Sequence, residues 1–151
     1  MKMSLSELLA TGRLHRHSAT QGETHDFMVK AQRASHDAEI DTISVDNRFV
    51  IAYHGALSAA TAVVAAAGYR PAAVGHHQTV FEAFPLIIDG MTETAEYLDA
   101  CRRRRHQALY GRVGQIAQSE LDELLVALAD LIAHTKQWLV EEHPDLYRGP
   151  D

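Results

Sequence analysis

The chain has 151 residues, of which 46% are hydrophobic and 23% are charged, a balance that is typical of a folded domain and excludes a disordered one. A formal net charge of −6 gives the whole molecule no attraction to nucleic acid, so any such binding must come from a local basic patch. The single cysteine, Cys101, excludes an intramolecular disulfide and a four-thiolate zinc site, and we expect it to be a small core residue.

The same data predict one domain over residues 1–151. We expect it in the cytoplasm, because no segment approaches the ~20 apolar residues that span a bilayer.

Two capping boxes predict the first helices. Ser4-Leu-Ser-Glu7 predicts a short helix from Leu5 to about His15, and Thr20-Gln-Gly-Glu23 predicts another from Gln21 to about Ile40. In the second helix, apolar residues recur at helical spacing, and their small size indicates close packing against a neighbour. These residues are Phe27, Ala31, Ala34 and Ala38.

The segment from Asn47 to Ala67 is apolar nearly all round, which predicts the central helix of a bundle. Ser44 or Asp46 can cap its start, and Gly68 followed by Pro71 ends it.

Three further helices are predicted. The first runs from His76 to about Asp89, and Pro85 should kink it or end its first part. The second, rich in arginine, runs from about Thr94 to Gly111. The third begins at Ser119 as its cap and continues on a regular apolar ladder to about Glu142, before Pro144.

No stretch alternates in the manner of a strand, and the nearest, Ile43–Phe49, is too short to count. We therefore predict an all-α fold, a helical bundle of four to six helices.

Helical phase distinguishes the four consecutive arginines of the fifth helix. At about 100° per residue, one stripe contains Leu98, Cys101, Arg105 and Leu109, with Arg102 at its edge, whereas Arg103 and Arg104 point away. A guanidinium on an inner stripe is almost never left unpaired. Arg105 therefore requires an anionic ligand, a carboxylate partner or a wet crevice.

Two roles for Arg105 remain open from the residues alone. His106 and Tyr110 are spaced i and i+4, and together with Arg105 they would suit a scissile phosphate, because the guanidinium stabilises negative charge and the imidazole moves protons. RNA cleavage of this kind needs no metal, since the 2′-hydroxyl is the nucleophile. Alternatively, Arg105 pairs with an acid and only orients helices. The candidate acids are Asp99, Asp130 and Glu96.

The ten histidines do not predict a metal site. His76 and His77 are adjacent, so on a regular helix they diverge and cannot bind one ion, and we interpret them as polar groups at a helix start. No metal-binding histidine pattern, glycine-rich phosphate loop or nucleophile elbow occurs, and we expect no cofactor. His54, beside Tyr53 in the apolar helix, fits a hydrogen-bonded core residue better than a catalyst.

Several landmarks together resemble one known family. They are Asn47-Arg48-Phe49-x-x-Ala52-Tyr53-x-x-Ala56-Leu57, Ala66-Ala67-Gly68-Tyr69-Arg70, Gly75-His76-His77 and Cys101-Arg102-Arg103-Arg104-Arg105-His106-x3-Tyr110. The chain resembles the HEPN superfamily, the higher eukaryotes and prokaryotes nucleotide-binding domain, in its small stand-alone prokaryotic form. The resemblance implies an antiparallel bundle that is usually a homodimer. Many members are metal-independent endoribonucleases that act as toxins paired with minimal nucleotidyltransferases.

The active motif of that family is an arginine, a polar residue, a few more residues and a histidine. Arg105 matches the arginine and His106 the polar position, while Tyr110 stands where the histidine is expected. A phenol with a pKa of about 10 is a poor general base.

The resemblance therefore implies either an endoribonuclease or a degenerate member that binds RNA or nucleotide, or serves as a partner subunit. In the first case Arg105, His106 and Tyr110 are the catalytic candidates. The phosphate-binding candidates are Arg102, Arg48, His76, His77 and His54.

Overall fold

The computed structural model describes residues 2–149 and confirms the predicted all-α fold. Six α-helices occur in this part of the chain: α1 (Leu5–Ala10), α2 (Gln21–Asp37), α3 (Val45–Ala66), α4 (His76–Ile87), α5 (Thr92–Tyr110) and α6 (Gln118–Glu142). A short 3₁₀ turn, Pro144–Leu146, follows α6.

Helix α3 is the centre of the bundle, as its composition predicts. It packs against α2, α4, α5 and α6, and its alanine-rich surface lets these helices approach closely. At Gly55 the approach leaves no room for a side chain, because a β-carbon placed there would lie 2.7 Å from the β-carbon of Ala34 on α2. The small-residue packing predicted for α2 is thereby confirmed, and α3 forms a rigid support for the side chains in its middle.

The length and apolar composition of α3 also satisfy the requirements for a membrane-spanning helix, so the prediction that no segment approaches that length is wrong. The burial of 72% of its apolar stretch against other parts of the protein accounts for this composition. By length and composition alone, the helix is weak evidence for a membrane.

The expectation of no strands is wrong in one place. β1 (Leu14–Arg16) pairs antiparallel with β2 (Tyr69–Pro71). The first helix consequently ends at Ala10 instead of His15, because Gly12 takes a left-handed φ of 76° and turns the chain. A three-residue strand whose partner is far away in sequence leaves no local alternation to detect.

Several helix ends differ from the predicted ones. α2 stops at Asp37 instead of Ile40, and α4 continues through Pro85 for two residues. The cap of α6 is Ala117 and not Ser119, because the Glu120 carboxylate accepts the Ala117 backbone N–H at 2.7 Å.

Two helices on one side of α3 define the region of interest. α4 and α5 pack on α3 and on each other, whereas α2 and α6 are the other helices that pack on α3. The first turn of α4 and the later half of α5 therefore meet the middle of α3, where Tyr53 and His54 lie.

Candidate functional site

The side chain of Arg105 lies half-buried between α5 and α3. Its Nε donates a hydrogen bond to Nε2 of His54 at 3.2 Å, and its guanidinium carbon lies 5.6 Å from the centre of the Tyr53 ring. Within residues 2–149, no carboxylate forms an ion pair with it. Its position on the inner stripe agrees with the predicted phase.

The acids considered as partners of Arg105 do not pair with it. Asp99 binds Arg102 at 2.8 Å, and Glu96 binds Lys2 at 3.1 Å. Asp130 forms no ion pair in the described part of the chain. The interpretation of Arg105 as a purely structural ion-pair residue therefore receives no support from its contacts.

The other arginines of α5 have separate partners. Arg103 is exposed, as predicted, and lies 3.8 Å from Asp99. The prediction that Arg104 points away is wrong, because its side chain, only 28% exposed, binds Glu120 at 2.8 Å and the Gln115 carbonyl. The reason is that the chain between α5 and α6 folds back over this face of α5, which a single-helix projection cannot represent.

His54 is a neutral acceptor in this arrangement. The Nε of an arginine can only donate, so Nε2 of His54 must carry a lone pair and Nδ1 the proton. Burial lowers the pKa of His54 from its ordinary value, and the neighbouring Arg105 charge lowers it further. The imidazole therefore remains uncharged at neutral pH.

His77, at the start of α4, contacts Tyr53 of α3. Its Nδ1 lies 2.9 Å from the Tyr53 hydroxyl, which is fully buried. Burial lowers the pKa of His77 to about 4, and the charge of Arg105 lowers it further, with smaller effects from His76, His54 and Arg102. Burial also raises the pKa of Tyr53, although Arg105 opposes the shift, so the phenol stays protonated.

These four residues, Arg105, His54, His77 and Tyr53, form a contiguous group that we call the Arg105 cluster. The rings of His54 and His77 stand perpendicular with centroids 5.9 Å apart. The cluster holds one guanidinium, two neutral imidazoles and a neutral phenol. It therefore carries positive charge and is suited to an anion, and the acceptor nitrogen of His54 is bound to the guanidinium itself.

His106 and Tyr110 contact each other, with ring centroids 4.9 Å apart, which confirms that they share a face of α5. That face is exposed, and the Tyr110 side chain is 75% accessible. The structure does not bring either ring to the Arg105 cluster, because the side chain of residue 106 leaves the helix about 100° from that of residue 105.

The remaining candidates divide between the cluster and other places. His76 lies at the cluster's edge, its ring 5.4 Å from that of His77. Arg102 is next to the cluster but paired with Asp99. Arg48 is elsewhere, at the start of α3, where its Nε donates to the Ala38 carbonyl at the end of α2 at 2.7 Å.

Tyr53 is the member of the cluster that sequence reasoning did not select. The sequence feature that could have identified Tyr53 is its phenol ring at an inner position of an apolar helix, where a buried hydroxyl needs a hydrogen-bond partner. That partner, His77, is 24 residues away in sequence, and Arg105 is 51 residues from His54. Such pairings arise from helix packing and not from local spacing.

Within residues 2–149, no group of three or more histidine, cysteine, aspartate or glutamate side chains is arranged to hold a metal ion. The three imidazoles near Arg105 do not converge. Nε2 of His54 is directed at Arg105, and Nδ1 of His77 is directed at Tyr53.

Comparison with known families identifies the chain. The model of the family described as SAV_6107-like HEPN matches residues 40–136, which is more than half of the chain and includes every member of the Arg105 cluster. No curated protein and no solved structure matches. The match agrees with the helical bundle and with the family resemblance of the sequence. The chain therefore belongs to the SAV_6107-like HEPN family.

Proposed function

We propose that this HEPN protein binds the phosphate groups of RNA at the Arg105 cluster and cleaves RNA there without a metal ion. The observation that carries the proposal is the half-buried guanidinium of Arg105, which has no carboxylate partner in the described chain and contacts the neutral imidazole of His54.

The free donors of Arg105 support phosphate binding. Only Nε is engaged, by His54, and neither terminal nitrogen donates a hydrogen bond to any residue between 2 and 149. Two parallel N–H groups match two phosphate oxygens, and such charge-assisted bidentate contacts are stronger than neutral ones. Partial burial lowers the local dielectric and strengthens the attraction further.

The chemistry of cleavage then follows from His54. Arg105 Nε occupies the His54 lone pair in the free protein, so the guanidinium must shift toward the phosphate before His54 accepts a proton. The 2′-oxygen attacks phosphorus as its proton passes to Nε2 of His54, and the bond to the 5′-oxygen breaks. The resulting imidazolium gives its proton to that oxygen, leaving a 2′,3′-cyclic phosphate and a 5′-hydroxyl.

A second candidate function is binding without cleavage. It is favoured by Tyr110, which occupies the family's histidine position yet is exposed and outside the cluster. In that case the protein is a degenerate HEPN module that holds RNA or nucleotide, or docks on another protein.

The two candidates are separated by one experiment with a matched control. Labelled single-stranded RNA is incubated with the protein in EDTA, and both cleavage and salt-dependent binding are measured. Arg105→Ala should abolish cleavage and weaken binding, whereas Arg103→Ala, which removes the same charge from an exposed site on the same helix, should change neither strongly. Binding without turnover in the wild type would select the second function, and unchanged cleavage by Arg105→Ala would remove Arg105 from the mechanism.

Assembly and partners extend the proposal. Exposed apolar side chains near the end of α5 support a homodimer in which the two clusters share a cleft, and these are Leu109, Tyr110 and Val113. Light scattering of the purified protein tests the dimer.

A toxin role with a nucleotidyltransferase partner predicts that expression inhibits growth and that a neighbouring gene relieves the inhibition.

A further inference from the structure

The hydroxyl of Tyr53 has one hydrogen-bond partner in residues 2–149, Nδ1 of His77 at 2.9 Å. The Tyr53 side chain is fully buried, so its hydroxyl hydrogen must be satisfied inside the protein. It therefore donates to His77, because a bond in the opposite direction would leave that hydrogen without an acceptor. The neutral imidazole of His77 must then carry its proton on Nε2.

His54 has the opposite arrangement. Its Nε2 accepts the N–H of Arg105, so its proton is on Nδ1. Two neighbouring imidazoles, with ring centroids 5.9 Å apart, thus present different groups at the same ring atom. On Nε2, His77 carries a hydrogen, whereas His54 carries the lone pair that accepts from Arg105.

We propose that Tyr53 is a positioning residue that holds His77 as a neutral Nε2–H donor to a phosphate oxygen, beside the acceptor His54. The identity of the ligand rests on the proposed function, whereas the tautomer of His77 does not. Because Nδ1 is directed at a buried phenol, Nε2 is the ring nitrogen of this half-buried side chain that is left to bind a ligand. His77 adds a hydrogen bond to the phosphate without adding a second charge beside Arg105.

The electrostatics of His77 agree with this role. Burial and the adjacent cations lower its pKa to about 4, so the ring remains neutral throughout the physiological range. With Nδ1 bound to the Tyr53 hydroxyl and Nε2 protonated, His77 has no free lone pair that could accept a proton. The proton transfers of the proposed cleavage therefore belong to His54.

The tautomers are measured directly by long-range proton–nitrogen NMR of the free protein labelled with ¹⁵N-histidine at pH 7. We expect His77 to be protonated on Nε2 and His54 on Nδ1. In Tyr53→Phe the His77 signals should move toward a mixture of tautomers, while Tyr97→Phe, a tyrosine outside the cluster, should leave them unchanged. A wild-type His77 protonated on Nδ1 overturns the proposal, and this measurement decides it even if Tyr53→Phe fails to fold.

Binding of a fluorescein-labelled single-stranded RNA tests the consequence. Tyr53→Phe and His77→Leu should each weaken affinity about fivefold, and His77→Gln, whose amide can donate near the position of Nε2, should recover most of the loss. If all three variants bind the RNA with the affinity of the wild type, the proposed role of His77 is overturned. If Arg105→Ala binds RNA as the wild type does, the proposed function fails while the tautomer result still stands.

Discussion

Replacing Arg105 with lysine separates the charge of this residue from its geometry. Arg105 has three nitrogens, of which Nε binds His54 and the two terminal nitrogens are free for a phosphate. A lysine has one ammonium group and lacks the planar pair of terminal N–H groups, so it cannot hold two phosphate oxygens in a bidentate contact. The loss of one charge-assisted hydrogen bond costs about 1.5–3 kcal/mol. We therefore expect RNA affinity to fall by about 10- to 150-fold.

Fluorescence anisotropy at several salt concentrations checks this prediction. Net charge is unchanged in Arg105→Lys, so the dependence of affinity on salt should keep the wild-type slope while the whole curve moves to weaker binding. Arg103→Lys is the matched control and should coincide with the wild type, because Arg103 is exposed. If Arg105→Lys binds RNA with wild-type affinity, bidentate binding is refuted, and only the positive charge of residue 105 contributes to affinity.

Three further changes test the site and its support. Arg105→Ala should raise the pKa of His54 toward its ordinary value, because the arginine charge lowers it, and NMR titration measures the shift. Gly55→Ala should destabilise the fold by about 1–2 kcal/mol in urea unfolding, since overpacking against Ala34 exceeds the gain in helix propensity. Glu120→Gln should cost about 0.5–1 kcal/mol near neutral pH and flatten the acid side of the stability curve.

The sign of the Glu120 effect follows from its contacts. Its arginine partner and a backbone N–H lower its pKa in the folded state, so its stabilisation is present above the unfolded pKa of about 4.3 and is lost as the pH falls through the folded value.

Each variant has a control. Arg103→Ala should leave the pKa of His54 nearly unchanged. Gly22→Ala should not destabilise the fold, because the added β-carbon would meet only the Thr20 hydroxyl, at 4.0 Å. Glu123→Gln, which removes a carboxylate that forms no ion pair within residues 2–149, should cost less stability near neutral pH than Glu120→Gln. An unchanged pKa of His54, a fully stable Gly55→Ala protein or an unaltered pH profile for Glu120→Gln would contradict the respective argument.

The parts of the fold that sequence could predict are those determined within one segment. The cap at Thr20 depends on a hydroxyl and an N–H three residues apart, and the inner position of Arg105 depends on helical period. The strands β1 and β2 could not be predicted, since each is stabilised by the other across more than fifty residues of chain. Arg104 was misplaced for the same reason, because its partner Glu120 belongs to the next helix.

The candidate site also depends on residues that are far apart in the sequence. The family pattern directs attention to residues after Arg105 on α5, and on that helix His106 and Tyr110 face solvent. The imidazoles that meet Arg105 come instead from α3 and α4, so the site depends on the packing of three helices. The distance between His54 and Arg105 depends on the packing of α5 on α3, while the close contacts of the neighbouring Gly55 with Ala34 and Leu128 hold the other side of α3 against α2 and α6. A mutation that separates α3 from its neighbours should therefore impair the site before it unfolds the protein.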